Sequence, residues 1–194
     1  MRPLTYCVGT SLDGFIAGPD GQFDFIPFEG DLAAALLAEY PETIPVTGRG
    51  PLGIEGAANQ RFDTVLMGRG TYEPGLAVGV TSPYPHLTQY VFSRTLSRLD
   101  PAVEIVSTDP VAFVRDLKRR DGAGIWLCGG ADLAGQLLEE IDELIIKRYP
   151  VVIGSGIPLF RAPFLPVRFT LTDSRVFNTG ATLTTYSTSS TPQK

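Results

Sequence analysis

The chain has 194 residues, 43% of them hydrophobic and 19% charged, which fits one globular domain with a sizeable core. Its net charge of -5 argues against a nucleic-acid surface, and it holds no apolar run long enough to span a bilayer. Two cysteines without a CxxC spacing and a single histidine, His86, leave no ligand set for zinc.

The amino terminus, MRPLTYCVGT, lacks the apolar core of a signal peptide and reads as a first strand over Leu4–Val8. Cys7 and Cys128 both sit in apolar runs, so the expectation is a cytoplasmic protein with two free, buried thiols. The first strand leads into Ser11-Leu12-Asp13-Gly14-Phe15-Ile16-Ala17-Gly18, with no GxGxxG after it and no GxxxxGK[ST] anywhere. A Rossmann or P-loop assignment therefore has no support. GDLAAALLAEY predicts a helix with Asp31 as a candidate N-cap. From Tyr40 to Arg61 the chain is rich in proline and glycine and lacks periodicity; it is either a lid over a site or a surface insertion.

Further strands are predicted at Thr64–Met67, Gln89–Phe92, Val103–Val106 and Ile125–Cys128. Three of these end in groups suited to an anion. Gly68-Arg69-Gly70-Thr71 offers open backbone, a cation and a hydroxyl; Ser93-Arg94-Thr95 offers a guanidinium and two hydroxyls. Gly129-Gly130 precedes a helix whose apolar stripe is Leu133, Ala134, Leu137, Leu138 and Ile141. That glycine pair has two readings, a tight turn or a bare helix N-terminus open to phosphate, and the stretch alone does not choose. Ligands of α/β sheets gather outside the carboxyl ends of the strands, so three such ends point to one multiply phosphorylated ligand. Between them, Asp109-Pro110 predicts the cap and first position of a helix bearing Phe113, Val114 and Leu117 on one face and closed by Gly122.

Strands alternating with helices predict an α/β sheet that is parallel at its centre. The last strands are expected at Leu144–Ile153, Phe169–Val176 and Thr182–Tyr186. Asn178-Thr179-Gly180 separates the final pair without a helix, which predicts an antiparallel hairpin. Gly154-Ser155-Gly156 either touches substrate or forms a bulged bend. One domain over 1–186 and a loose tail over 187–194 complete the expectation.

SLDGFIAGPDG, VLMGRGTYE, VFSRTL, IWLCGGADLAGQLL and PVVIGSGIPLF, in this order, resemble the dihydrofolate reductase-like superfamily. The branch they are most similar to is the C-terminal reductase domain of the bifunctional riboflavin-biosynthesis deaminase-reductase. The resemblance runs from Thr5 to about Tyr186. It implies a central, mainly parallel eight-stranded sheet with flanking helices, and NADPH-dependent hydride transfer to a small heterocycle. The substrate type it implies is that of 5-amino-6-(5-phosphoribosylamino)uracil reductase or a dihydrofolate reductase-like enzyme. It further implies a homodimer. Carried over residue by residue, Gly129, Gly130, Ala131, Asp132 and Leu133 match the segment that receives the pyrophosphate, and Gly68, Arg69 and Thr71 match a second phosphate-binding turn. Ser93 and Arg94 match the pair that meets the 2′-phosphate, while Ile16 and Ala17 match the loop against the nicotinamide.

Two departures bound the resemblance. The H-x-E and P-C-x-x-C set of the deaminase half is absent, which removes deamination. Folate reductases carry a tryptophan after the first strand and a carboxylate on the next helix. Here the one tryptophan is Trp126, and Asp31 fills the carboxylate's place only approximately. Reduction also needs a proton, and the catalytic candidates are Asp13 and Asp31, each of which also reads as a turn or cap residue. The competing class is a non-catalytic NADPH-binding sensor or interaction protein.

Overall fold

The computed structural model describes residues 1–188. Its centre is an eight-stranded sheet. In chain order its parallel strands are β1 (Leu4–Thr10), β3 (Phe62–Gly68), β4 (Thr88–Phe92), β5 (Val103–Val106), β6 (Gly124–Gly129) and β7 (Glu143–Arg148). The hairpin partners β9 (Phe169–Val176) and β10 (Thr182–Thr188) follow, and the spatial order is β5-β4-β3-β6-β1-β7-β10-β9. β10 runs antiparallel to both β7 and β9, which closes the parallel sheet with the expected antiparallel hairpin. A small second sheet pairs β2 (Phe15–Ala17) with β8 (Ile157–Pro158).

Strand alternation sends successive side chains to opposite faces, and both faces are covered. Leu4, Tyr6, Leu66, Leu127 and Ile146 pack on one face under α4 (Pro110–Arg119) and α5 (Ala131–Gln136). Cys7, Val65, Met67, Trp126 and Ile145 pack on the other, under α1 (Gly30–Glu39) and Tyr72 of α3 (Arg69–Ala77). The remaining helical turns, a 3-10 turn at Pro41–Thr43 and the short α2 (Val46–Arg49), belong to the proline-rich stretch.

That stretch is a packed insertion at the amino ends of the strands, the far side of the sheet from Gly68. The fully buried Glu42 accepts the backbone N–H groups of Arg61 and Phe62 at 2.7 and 2.8 Å. Buried Arg49 donates to the carbonyls of Pro41 and Ala57. His86 Nε2–H donates to the Glu42 carbonyl at 2.8 Å, and burial holds the imidazole below its ordinary pKa. The lid reading of this stretch fails on that placement.

Four other expectations shift. The strand predicted at Leu144–Ile153 ends at Arg148, because Tyr149 leaves the ladder after its N–H meets Thr10 and Pro150 has no N–H to give. β10 continues through Ser187, opposite Glu143, and Thr188, so the start of the expected tail is strand; 189–194 lie outside the described residues. The helix begun by Asp109-Pro110 forms as expected, with the Asp109 carboxylate accepting from Ala112 N at 2.7 Å, but its C-cap is Arg120 and Gly122 follows two residues later. Asp31 lies in the first turn of α1, whose N-cap is Glu29.

Candidate functional site

Two turns meet where β3 and β6 end. Gly68 is the N-cap of α3 and Gly130 the N-cap of α5, and neither helix has a side-chain cap bond. The first N–H groups of a helix have no partner within it, so both termini present bare donors. A Cβ placed on Gly68 would sit 3.5 Å from Gly129 O and from Gly130 N, which measures how closely the turns abut. Thr71 completes the contact: Cβ atoms on Gly129 and Gly130 would come within 3.3 and 3.4 Å of its hydroxyl oxygen. Gly129 holds φ +150°, a conformation that favours glycine. Gly130 beside it has φ -95°, a conformation open to any residue. The Gly129–Gly130 peptide is cis.

The end of β4 joins this cradle through Arg69. Its Nη1 donates to Thr95 Oγ1 at 2.9 Å while its Nε pairs with Glu73 at 2.6 Å. Ser93 Oγ accepts from Thr95 N and Leu96 N, so that hydroxyl shapes the turn. Arg94 on the same turn is exposed and makes no side-chain hydrogen bond or ion pair among the described residues. Gly68, Arg69, Thr71, Ser93, Arg94, Gly129 and Gly130 are therefore gathered at adjacent strand ends.

At α5 the side chains divide. Ala131 and Leu133 are buried, with Leu133 in the core, so only their backbone faces the turn. Asp132 is exposed and pairs with Arg161 at 2.9 Å, which offsets a carboxylate that would oppose an anion. Ile16 and Ala17 lie in β2, and Ile16 packs on the core. The Gly154-Ser155-Gly156 stretch is a bend made necessary by contact: a Cβ on Gly156 would stand 2.2 Å from Ala17 O.

The two acid candidates are both engaged elsewhere. The exposed Asp13 accepts Gly154 N at 2.8 Å and Ile153 N at 3.3 Å, clipping the loop after β1 to the loop after β7. Its hydrogen bond with Ser11, then those backbone N–H groups, hold its carboxyl below the ordinary carboxylate range. Asp31 Oδ2 accepts Asn178 N at 2.9 Å in the β9–β10 turn, and its Oδ1 is buried without a partner among the described residues.

Sequence reasoning missed a pocket of about 250 Å³ beside these loops. Phe25, Leu32, Tyr149 and Val151 form its apolar walls, with Glu29 and Thr179 among its polar lining. Tyr149 makes no side-chain hydrogen bond among the described residues, and burial raises its phenol to about 12, so it stays protonated. The legible signal was FDFIPFEG, an aromatic run in a loop beside a predicted helix start.

The RibD C-terminal domain model matches residues 2–183. Two proteins of Bacillus subtilis (strain 168) are similar in sequence. Uncharacterized protein YwjB is 36% identical over 82% of this chain and 83% of its own length, and uncharacterized protein YyaP is 26% identical over 96% and 95%. A putative riboflavin biosynthesis protein from Shewanella sp. PV-4 superposes with a TM-score of 0.71 at 25% identity, over 97% of this chain and 99% of that one. The deaminase/5-amino-6-(5-phosphoribosylamino)uracil reductase of Thermotoga maritima shares the fold, with a TM-score of 0.66 at 16% identity over 97% of this chain and 57% of that one.

Proposed function

From the chain's place in the RibD C-terminal domain family, to which it belongs, we propose that it is an NADPH-dependent oxidoreductase acting on a small heterocycle. The observation that carries the reading is the pair of uncapped, glycine-headed turns at Gly68 and Gly130, with the Arg94 guanidinium, unpaired among the described residues, beside them. The donor set fits a dinucleotide. Bare N–H groups after Gly130 and Gly68 and the hydroxyl of Thr71 suit a pyrophosphate, and side chains on Gly129 and Gly130 would fill that space. Arg94 and Ser93 suit a further phosphate, and Ile16 and Ala17 form the wall for the nicotinamide.

NADPH would supply the hydride when bound; the chain's own residues bind, orient and exclude water. Asp13 acts by fixing the β1 loop against Gly154, and Asp31 by holding the hairpin turn at Asn178. We place both as positioning residues: the Asp13 carboxyl is held below the ordinary carboxylate range and is bound to the 153–154 backbone, and Asp31 Oδ2 is committed to the Asn178 N–H. The chain is further proposed to form a homodimer, supported by the outer strand β9, which leaves Leu171 53% and Val176 76% exposed. Light scattering at micromolar concentration tests the dimer, and a monomeric mass rejects it.

The deciding experiment titrates NADPH and NADH into the protein and then follows NADPH absorbance against a panel of pterins and aminopyrimidines. NADPH binding with turnover supports the reading. NADPH binding without turnover of any member supports the non-catalytic sensor instead.

A further inference from the structure

Two arginines at the glycine turns are held by the chain's own carboxylates. Arg69 Nε pairs with Glu73 at 2.6 Å, one turn further along α3. Arg161 Nη1 pairs with Asp132 at 2.9 Å, in the first turn of α5. Arg94, on the neighbouring turn, has no carboxylate partner among the described residues. Each paired arginine is also fixed by contacts that do not involve its acid. Arg69 Nη1 donates to Thr95 Oγ1 at 2.9 Å. Arg161 N donates to Ala131 O at 3.0 Å, and a Cβ on Gly135 would overlap Arg161 O, so the backbone at 161 lies directly on α5. Removing either acid therefore leaves its arginine in place with N–H groups open. For Arg69 the freed group is Nε–H, part of the edge through which a guanidinium takes a phosphate by two parallel bonds.

An ionised carboxylate only accepts hydrogen bonds, so each acid does in the free protein what a phosphate oxygen would do in a complex. All four side chains are well exposed, and exposed pairs of this kind are worth roughly 1.5- to 5-fold in an equilibrium constant. We propose, resting on the cofactor reading above, that Glu73 and Asp132 are positioning residues that stand in for the cofactor's phosphates. They hold Arg69 and Arg161 at the turns of the free protein, and the incoming dinucleotide must displace them, which lowers its affinity. The two acids then set how tightly a cofactor is held, while Arg94, which neither acid touches, sets which cofactor it is.

Glu73→Gln and Asp132→Asn test this by removing the charge at nearly constant size. Titrations of NADPH and NADH at low salt are expected to show about 2- to 5-fold tighter binding for each variant, by the same factor for both cofactors. The gain should fade toward 1 M salt, where the screening length is about 3 Å. A carboxylate that merely supports its helix predicts a lower melting temperature and no gain in affinity. Unchanged or weaker binding of both cofactors by both variants overturns the proposal. In an Arg69→Ala background, Glu73→Gln should give little of its gain, because the cation it occupies is gone. A full gain there would make Glu73 a simple repulsive charge and overturn its pairing role. Inorganic pyrophosphate, titrated in parallel, keeps this proposal apart from the cofactor reading. Variants that take pyrophosphate more tightly than the parent, in a protein that binds neither NADPH nor NADH, leave the acids in their role and reject the dinucleotide. Pyrophosphate affinity unchanged along with the absence of nucleotide binding overturns both.

Discussion

The two ends of the parallel strands solve opposite problems. At the amino ends, polar groups find partners within the chain. Glu42 takes two backbone N–H groups, and Arg2 meets Asp63, Thr64 and the Ala123 carbonyl. Asp142 accepts Leu4 N at 2.7 Å and pairs with Lys118 at 2.7 Å. At the carboxyl ends, the caps of α3 and α5 are glycines and Arg94 stands unpaired among the described residues. Among the described residues, donors are spent at the amino ends and left open at the carboxyl ends, where binding is proposed. The helices make the point: α4 starts with its own cap, the Asp109 carboxylate accepting Ala112 N, whereas α3 and α5 have no side-chain cap.

The largest expected effect breaks the amino end. Glu42→Ala leaves the N–H groups of Arg61 and Phe62 without their acceptor in a buried site, at a cost of about 2–4 kcal/mol. Denaturant unfolding should show that loss, while the folded fraction keeps its NADPH affinity. A parallel loss of affinity would mean that the two ends are coupled.

Next comes the cradle. Gly129→Val forces a β-branched residue to φ +150° and presses on Thr71 at 3.3 Å. NADPH affinity should fall by roughly 100-fold or more, with about 1–3 kcal/mol of stability lost to the backbone conformation. Fluorescence titration beside a melting curve separates the two. Binding that survives would remove the glycine pair from the cofactor site.

A smaller effect tests which anion each arginine meets. Arg94→Ala should weaken NADPH by about 10- to 100-fold, the worth of one charge-assisted hydrogen bond, and leave NADH unchanged. Arg69→Ala should weaken both cofactors together, since it is tied to the shared cradle through Thr95 and Glu73. Equal losses of NADH and NADPH at Arg94 would remove it from the 2′-phosphate.

The turns proposed to meet the cofactor were legible because their parts are local: a strand, a glycine and a cation fall within a few residues of one another, as in Gly68-Arg69-Gly70-Thr71. The strand centres were legible for the same reason, through alternation and β-branching. The pocket was not, because Phe25, Tyr149 and Thr179 come from three separate loops that only the sheet order brings together. Glu42 was hidden in a stretch whose composition signals irregularity, although its burial under β3 makes it part of the core. The conformation of Gly129 rather than Gly130 was likewise invisible, since two adjacent glycines look alike in a sequence.

The smallest effect concerns Asp13, which belongs to the carboxyl end yet behaves like the amino end, with its carboxylate fully engaged. Ser11, Gly154 N and Ile153 N all favour the ionised form, so the folded carboxyl titrates below the ordinary aspartate value of about 3.9. A folded pKa below the unfolded one adds stability that is fully present above the unfolded value and lost as the pH falls through the folded one. The melting temperature of Asp13→Asn should therefore lie below that of the parent at pH 5–7, with the gap narrowing below about pH 3.9 and closing at lower pH. Turnover of the variant, measured with whichever heterocycle is reduced, should drop less than about tenfold, because an asparagine that still accepts from Gly154 N keeps most of the clip. A general acid predicts the reverse pair of results: a loss of roughly 100-fold or more in turnover with no pH-dependent gap in melting. That outcome would return Asp13 to the catalytic role and leave its short contacts to the 153–154 turn incidental.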